Sequence, residues 1–572
     1  MKFLAFYFCC LPLWVCAQKF DNTWLLGNLN DTILSNNRGI QVLTFQEGHL
    51  EMAQNTQLYR FNFAETNTSL SDSSGNILSY SNGVHIGDAG WKIMDGGDSL
   101  TNAYEWPGEI YTQWVVMLPF PDNPTLQMVL YEQEGFSPEI SFHATKLYYA
   151  LIDMAQNQGL GAMVERDQLL IEDTLAVGKI SSVKHANGRD WWVFVNEKNS
   201  NHYYRLLLSP QGIEVVGNQA IGATVWDGVG QSVFSPNGAY FAVYGTVSVN
   251  VGAYLDLYDF DRCSGLFSNH RQFHFPERNW GGLAFSPNSR HLYLNRYTKA
   301  FQYDLQAQDV FQSQTLVAEY DGFQNPFNTT FYNMQLAPDG KIYSSTPEGS
   351  TNSLHVIHFP DEPGMACHYQ QHGIQLLTRN SWSLPTFPHF RLGPLDGSSC
   401  DTLGLDNRPV AFWRSEKDTL EPLLVHFHDL SYYEPDTWLW DFGDGFSSTE
   451  RHPEHIFPGP GVYEVCLTAS NSDASHTLCR MITFTITKTV HANLGIPVSV
   501  GPNPFRDYLL VAFSAPLESP VFHLYDQTGR LVRRQTLIDG NAKIETYDLP
   551  NGVYFWEIKS VFDHATGRVL KQ

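Results

Sequence analysis

Apolar and polar residues alternate over short runs along most of this chain, and sharp turn signals separate the runs. Three stretches share one pattern. Val233-Phe-Ser-Pro-Asn-Gly238 leads into Tyr240-Phe-Ala-Val-Tyr244, Ala284-Phe-Ser-Pro-Asn-Ser289 into His291-Leu-Tyr-Leu294, and Gln335-Leu-Ala-Pro-Asp-Gly340 into Lys341-Ile-Tyr343. Period-two alternation on both sides of a Pro-Asn-Gly type turn predicts a β-hairpin, because Pro fixes φ and Gly accepts a positive one. Ser235, Ser286 and Ala337 start the three turns, so the spacing is 51 residues twice over. A fixed period of this size predicts a repeat architecture. Weaker members precede these at Asn22-Thr-Trp-Leu-Leu-Gly27, Asp72-Ser-Ser-Gly-Asn-Ile-Leu-Ser-Tyr80, Lys184-His-Ala-Asn-Gly-Arg-Asp-Trp-Trp192 and Leu206-Leu-Leu-Ser-Pro-Gln-Gly212.

At 572 residues the chain has room for three or four domains. Aromatic content of 14%, only 16% charged residues, 44 Gly and 30 Pro point to many short strands and tight turns, an all-β composition. The strand–turn–strand unit resembles the blades of TolB-type and WD-type β-propellers. At about 50 residues per blade, residues 20–393 hold about seven blades, with six or eight still open.

A linker at 394–407, including Leu395-Asp-Gly-Ser-Ser-Cys-Asp-Thr-Leu403, separates this repeat from a different pattern. Trp438-Leu-Trp-Asp-Phe-Gly-Asp-Gly445, His452-Pro-Glu-His-Ile-Phe457 and Gly461-Val-Tyr463 through Asn471 resemble a PKD domain, an Ig-like β-sandwich, over 408–488. The resemblance implies that Trp440 and Phe442 enter the sandwich core.

After a second linker at 489–496, residues 497–572 carry Gly501-Pro-Asn-Pro-Phe505, Leu524-Tyr-Asp-Gln-Thr-Gly-Arg-Leu531, Leu549-Pro-Asn-Gly-Val-Tyr-Phe555 and Arg568-Val-Leu-Lys571. These motifs resemble the type A C-terminal sorting domain of type IX secretion in the Bacteroidota, a small β-sandwich. The resemblance implies that Asn503, Pro504, Gly529, Gly552, Tyr554 and Lys571 belong to the sorting signal. It also implies that the secretion machinery is a partner and that the tail is removed after export to the cell surface or the medium.

The N-terminus fits that route. Lys2, the apolar run Phe3 to Val15 and Val15-Cys16-Ala17 read as a signal peptide over 1–17. No apolar run elsewhere reaches the roughly 18 residues of a membrane helix. The net charge of −24 lies wholly upstream of the tail, since residues 495–572 hold eight Lys/Arg and eight Asp/Glu. An acidic body of this kind argues against nucleic acid as a partner.

Beyond the signal peptide stand Cys263, Cys367, Cys400, Cys466 and Cys479. None has CxxC spacing, which argues against zinc, and an oxidising compartment favours disulfides. Cys466 and Cys479 flank the turn Asn471-Ser-Asp473 symmetrically, which predicts a cross-strand bridge. The pairing of Cys263, Cys367 and Cys400 stays open; one option, Cys367 with Cys400, would tie the last blade to the linker.

Catalytic signatures such as HExxH, GxSxG, a P-loop or GxGxxG are absent from the sequence, and no cofactor is expected. His185, Arg189, Asp190, Trp191 and Trp192 form the best constellation: a base, a cation, a carboxylate and two stacking surfaces. They are weak binding candidates, because a blade turn would use the same residues structurally. His426 and His428 share a strand face but lack further ligands, and Asp441 and Asp444 belong to the PKD turn itself. Trp91, Trp106 and Tyr111 offer rings for sugar stacking or for packing between blades. Asp31-Thr32, Asp98-Ser99, Asp173-Thr174, Asp401-Thr402 and Asp418-Thr419, each followed by an apolar residue, match the O-glycosylation acceptor pattern of exported Bacteroidota proteins. The expected function is an extracellular binding or adhesion module for a glycan or protein ligand. The alternative is a polymer-degrading propeller hydrolase or lyase.

Overall fold

The computed structural model describes residues 19–28, 39–57, 61–101, 109, 111–137, 141–226, 229–248, 252–418, 421–484, 498–513, 520–537, 541–560 and 564–572. The expected signal peptide and the linker at 489–496 lie outside the described residues. The chain folds as two compact units. One is Met1–Phe412 with Leu430–Pro435 and Ser470–Ser475; the other is Trp413–Asp429, Asp436–Ala469 and His476–Gln572.

Among the described residues the first unit holds seven antiparallel sheets in chain order. Blade 1 is Thr23–Asn28, Gly39–Gln46 and His49–Asn55; blade 2 is Thr68–Ser71, Ile77–Ser81 and Ile86–Asp88. Blades 3 to 7 have four strands each and begin at Val115, Ser181, Ser232, Leu283 and Met334. Inner strands of successive blades lie side by side, and large aromatic side chains fill the wedges between blades. Trp24, Trp114, Trp191, Tyr244 and Tyr293 are each at most 1% exposed.

The 51-residue period is the first hairpin of each blade. Gly238 N–H donates to Ser235 O at 2.8 Å, Ser289 N–H to Ser286 O at 2.8 Å, and Gly340 N–H to Ala337 O at 3.0 Å. The Ser235 and Ser286 hydroxyls also accept the Tyr240 and His291 N–H groups, each at 2.9 Å. The same turn recurs at Asp72–Gly75 in blade 2 and at His185–Gly188 in blade 4. Leu206 to Gly212 is different: it spans the turn between the third and fourth strands of blade 4, not a first hairpin.

The ring closes with both ends of the first unit. The chain leaving blade 7 donates Trp382 N–H to Ala64 O, Thr386 N–H to Asn67 O, and Phe387 N–H to Gln335 Oε1. Residues 382–387 thus pass between the segment leading into blade 2 and the inner strand of blade 7, and Leu384 and Phe387 pack with Trp24 of blade 1. Thr23–Asn28 runs opposite to the inner strand of blade 2, with Ser71 N–H to Phe20 O and Phe63 N–H to Gly27 O. Asp21 accepts two bonds from Arg391, at 2.6 and 2.7 Å, across 370 residues.

The second unit contains two sandwiches. The PKD sandwich pairs Trp413–Lys417, Leu424–Asp429 and Glu454–Ile456 in one sheet. The other sheet joins Ser447–Ser448, Thr437–Asp441, Gly461–Ser470 and Ser475–Phe484. Trp413, Phe427 and Trp440 meet in its core with ring centroids 5.3–5.8 Å apart. In the tail, Val498–Gly501, Tyr508–Phe513 and Asn541–Glu545 form one sheet. Leu531–Thr536, Val521–Asp526, Gly552–Lys559 and His564–Lys571 form the other. Phe522, Leu524, Trp556 and Ile558 fill the space between them.

Candidate functional site

In the propeller, the connections from each outer strand to the next inner strand arrive at one end of the ring. The residues just before each inner strand face the axis, where a backbone group without a partner would be costly. Side-chain amides meet that need. Gln113, ahead of blade 3, donates to Ile180 O at 3.1 Å and Ser232 O at 2.7 Å, and accepts Ser232 N–H at 2.7 Å. Gln231, ahead of blade 5, donates to Met334 O at 3.0 Å and accepts Leu283 N–H at 3.0 Å and Met334 N–H at 2.9 Å. Each glutamine therefore reaches past one blade to the next. Gly282 makes room for the second, since a Cβ there would lie 2.3 Å from Gln231 Oε1.

Beside these struts lies a buried acid. Glu65 Oε1 accepts the Thr112 hydroxyl and the Tyr332 hydroxyl, each at 2.6 Å. Burial raises the Glu65 pKa above the usual carboxylate range, against the opposing pull of its hydrogen bonds and of Lys179. Lys179 donates to Tyr244 O at 3.3 Å. Nearby Glu109, bonded to the Thr101 hydroxyl at 2.5 Å, is pushed up to about 7 by burial. Glu65 is 6% exposed, so its carboxyl is a member of the axial network and not a group presented to solvent.

Above this network the rim carries exposed rings. Trp280, in the connection from blade 5 to blade 6, lies 6.4 Å from the Tyr332 ring and is 40% exposed. Phe323 and Phe327, in the connection from blade 6 to blade 7, are 41% and 50% exposed. The pattern reading missed all these residues, although the 51-residue register holds a signal: Gln231, Gly282 and Asn333 each stand four positions before a repeat turn.

The sequence candidates fall elsewhere. His185, Arg189 and Asp190 form the first-hairpin turn of blade 4, and their polar atoms bond within it. His185 Nδ1 accepts Asn187 N–H at 3.0 Å, Asn187 donates to Asp190 at 2.8 Å, and Arg189 bridges Asp190 and Asp122 at 2.8 Å each. Trp191 and Trp192 are 1% and 5% exposed, and the Trp192 indole donates to Arg262 O at 2.8 Å. Burial lowers the His185 pKa and brings that of Lys184 down to about 7. Trp91 packs against Tyr80, and Tyr111 against Trp114; Trp106 lies outside the described residues.

In the PKD sandwich His426 and His428 share the outer strand face, whereas Asp429 is buried and bonds Arg451 at 3.0 Å. Asp441 and Asp444 accept backbone N–H groups in their own turn, and Asp444 also bonds His455 at 2.7 Å. Among the described residues no group of three or more His, Cys, Asp or Glu is placed to hold a metal ion. Asp98-Ser99, Asp173-Thr174 and Asp401-Thr402 are described; Asp31-Thr32 and Thr419 are not.

Cys466 is bonded to Cys479 with a Cα–Cα distance of 4.0 Å. The neighbouring Thr468–Thr477 pair, hydroxyl to hydroxyl at 2.8 Å, shows the same register. The expected Cys367–Cys400 tie is not what forms. Cys400 is bonded to Cys263 in blade 5 with a Cα–Cα distance of 5.6 Å, and Cys367 is a buried thiol. Cys367 lies in the core between blades 6 and 7 beside Tyr293, whereas the strap after residue 393 runs past blade 4, where Leu395 N–H meets Ala186 O.

The sorting motifs converge at one end of the tail. Asn503 Oδ1 accepts Leu570 N–H at 2.9 Å, and Phe505 N–H donates to Leu570 O at 2.8 Å next to Pro504. The buried Lys571 ammonium donates to Thr546 O at 2.7 Å and to Arg506 O. Tyr554 donates to Pro550 O at 2.6 Å and packs on Phe505. Gly529, at φ +80°, closes the Asp526–Arg530 turn, and Gly552 opens the strand that carries Tyr554.

Residues 408–486 match the family described as PKD domain, and residues 499–572 match the secretion system C-terminal sorting domain. No curated protein matches the sequence. Among solved structures, the PKD1 domain of a Vibrio cholerae metalloprotease is 30% identical, over 13% of this chain and 95% of its own, with a TM-score of 0.13. A putative 6-phosphogluconolactonase from Bacteroides uniformis is 11% identical, over 63% of this chain and 98% of its own, with a TM-score of 0.36. A quinonprotein alcohol dehydrogenase-like protein from Bacteroides thetaiotaomicron is 9% identical, over 64% of this chain and 76% of its own, at 0.32. Such scores carry no functional weight. Among the described residues no helix is long and apolar enough to cross a membrane. The chain thus carries a PKD domain and a type IX secretion sorting domain after a β-propeller, and its tail marks it for export to the cell surface or extracellular space.

Proposed function

We propose that the exported chain is an extracellular binding protein that takes a glycan on the propeller rim, with the PKD domain as a spacer. The observation that carries this reading is Trp280, 40% exposed above the axial network on the connection between blades 5 and 6. A large exposed ring loses little conformational freedom on binding and offers an apolar face to a sugar ring. Phe323 and Phe327 extend the same rim. A glycan array probed with the mature chain tests the proposal. Binding should fall at least tenfold in Trp280→Ala and persist in His185→Ala; equal binding by Trp280→Ala and the parent would remove the rim from consideration.

A propeller hydrolase or lyase is the second reading, favoured by one observation: Glu65, Lys179 and Tyr332 are ionisable groups gathered in a buried axial site. Release of reducing ends from polysaccharide by the parent, lost in Glu65→Gln with the fold intact, would favour this reading over simple binding.

A further inference from the structure

The tail is a sorting signal, and two of the residues that define it in the sequence are turned inward, whereas Asn503, Pro504 and Gly529 are exposed. Tyr554 and Lys571 are 3% and 5% exposed, and Asn503 holds the chain end through Leu570 N–H. A receptor outside the fold meets further side chains beside Asn503, Pro504 and Gly529. Strand register identifies them. In the sheet containing Gly552–Lys559, Tyr525 stands opposite both Phe555 and Leu531, and Val553 stands opposite Leu570. Alternation sends Tyr554 and Trp556 into the core and Val553 and Phe555 to solvent.

The result is an apolar stripe across all four strands of the sheet. Leu531 is 45% exposed, Phe555 46%, Val553 38% and Leu570 37%, with Tyr525 half-buried among them. The next row along the same face is polar: His523, Glu557 and Thr566. Solvent faces of antiparallel sheets are ordinarily polar, and a contiguous exposed apolar patch marks an interaction surface. The stripe lies at the end of the sheet built by the motifs, beside the Asp526–Arg530 turn and the Phe505–Lys571 bridge. Exposed cations accompany it: Arg568 stands opposite Phe555 on the fourth strand, and Arg530 lies in the adjoining turn.

We propose that this stripe is the surface by which the secretion machinery captures the tail, and that Asn503, Tyr554 and Lys571 are positioning residues that hold it in shape. The partner is a protein surface with an apolar groove edged by carboxylates. The inference rests on the sorting-domain match and is independent of the glycan reading.

The test uses the full-length chain in a type IX-competent host. Val553→Thr with Phe555→Thr removes the centre of the stripe while keeping residues that suit a strand, and Thr566→Gln is the control one row away. Surface and periplasmic fractions are compared, and limited proteolysis of the purified chain reports whether the tail is folded. The expected result is a folded stripe variant held in the periplasm, with at least a tenfold loss at the surface, and a control exported like the parent. Normal export of the stripe variant overturns the proposal, as does equal retention of the control. Should the double variant lose its fold, Leu570→Thr is judged by the same outcomes. Lys571→Met should lose fold and export together; loss of export with the fold intact would overturn its positioning role.

Discussion

The Tyr332 hydroxyl donates to Glu65 Oε1 at 2.6 Å and so joins the connection into blade 7 to the connection into blade 2 across 267 residues of sequence. The Thr112 hydroxyl brings blade 3 to the same oxygen. Removing one donor leaves a buried carboxyl short of a partner, a penalty of about 1–3 kcal/mol. Tyr332→Phe should therefore lower the unfolding midpoint of the propeller in urea. Glu65→Gln should cost less, because an amide still accepts both hydroxyls and carries no charge to desolvate. Equal losses in the two variants would contradict the network.

Glu109 gives a pH-dependent counterpart. Its folded pKa is raised, to about 7, so the folded state holds the proton more tightly than the unfolded state does. The stability from that proton is complete below about pH 4.5 and is lost as pH rises through 7. Buried His355, His389 and Lys184, all with lowered pKa values, tilt the total curve the other way. The difference between parent and Glu109→Gln isolates the carboxyl. The variant should gain on the parent between pH 5 and pH 8, by at most about 3 kcal/mol. A difference that stays flat over this range would contradict the assignment.

The thiol pattern is equally specific. Non-reducing peptide maps of the exported chain should show Cys263–Cys400 and Cys466–Cys479. Cys367 should remain a thiol that resists alkylation until the protein unfolds, since it is buried and its pKa is pushed up to about 11. Opening the 13-residue Cys466–Cys479 loop should cost at most about 3 kcal/mol. Opening the 137-residue Cys263–Cys400 loop should cost up to about 5 kcal/mol by the chain-entropy relation.

What was legible in the sequence was local. Ser235, Ser286 and Ala337 announce their hairpins because a Pro-Asn-Gly turn needs no distant partner. The PKD turn and the 13-residue Cys466–Cys479 loop are similarly short-range. The axial site was not legible, because Glu65, Thr112 and Tyr332 are brought together only when the ring closes. The constellation at His185 to Trp192 was conspicuous for a local reason, since its polar atoms satisfy one tight turn. Cys263 and Cys400 were hard to pair because their approach depends on where the strap after blade 7 runs.

Deletion of residues 495–572 should leave the upstream sheets folded and the chain in the periplasm. The propeller core and the PKD core each consist of their own residues, with Trp191 central to one and Trp440 to the other. Cell fractionation checks this, and surface delivery of the truncated chain would contradict the role of the tail.

Asp21 and Arg391 hold the ring shut. Their side chains are 8% and 13% exposed, and two charge-assisted bonds join the start of blade 1 to the chain returning from blade 7. Without that junction the returning chain would lose its charged tie to the segment that opens blade 1. Asp21→Ala leaves a guanidinium buried without its carboxylate and should cost about 3–5 kcal/mol. The paired Asp21→Leu, Arg391→Met variant removes both charges and should recover most of that loss, because no ion is then stranded. Hydrogen exchange locates the effect. In Asp21→Ala, amides of Thr23–Asn28 and of residues 383–391 should exchange faster than those of blade 6. Uniform acceleration across all seven blades would instead mean that the ring opens as one unit and that the clasp is no weaker than the rest.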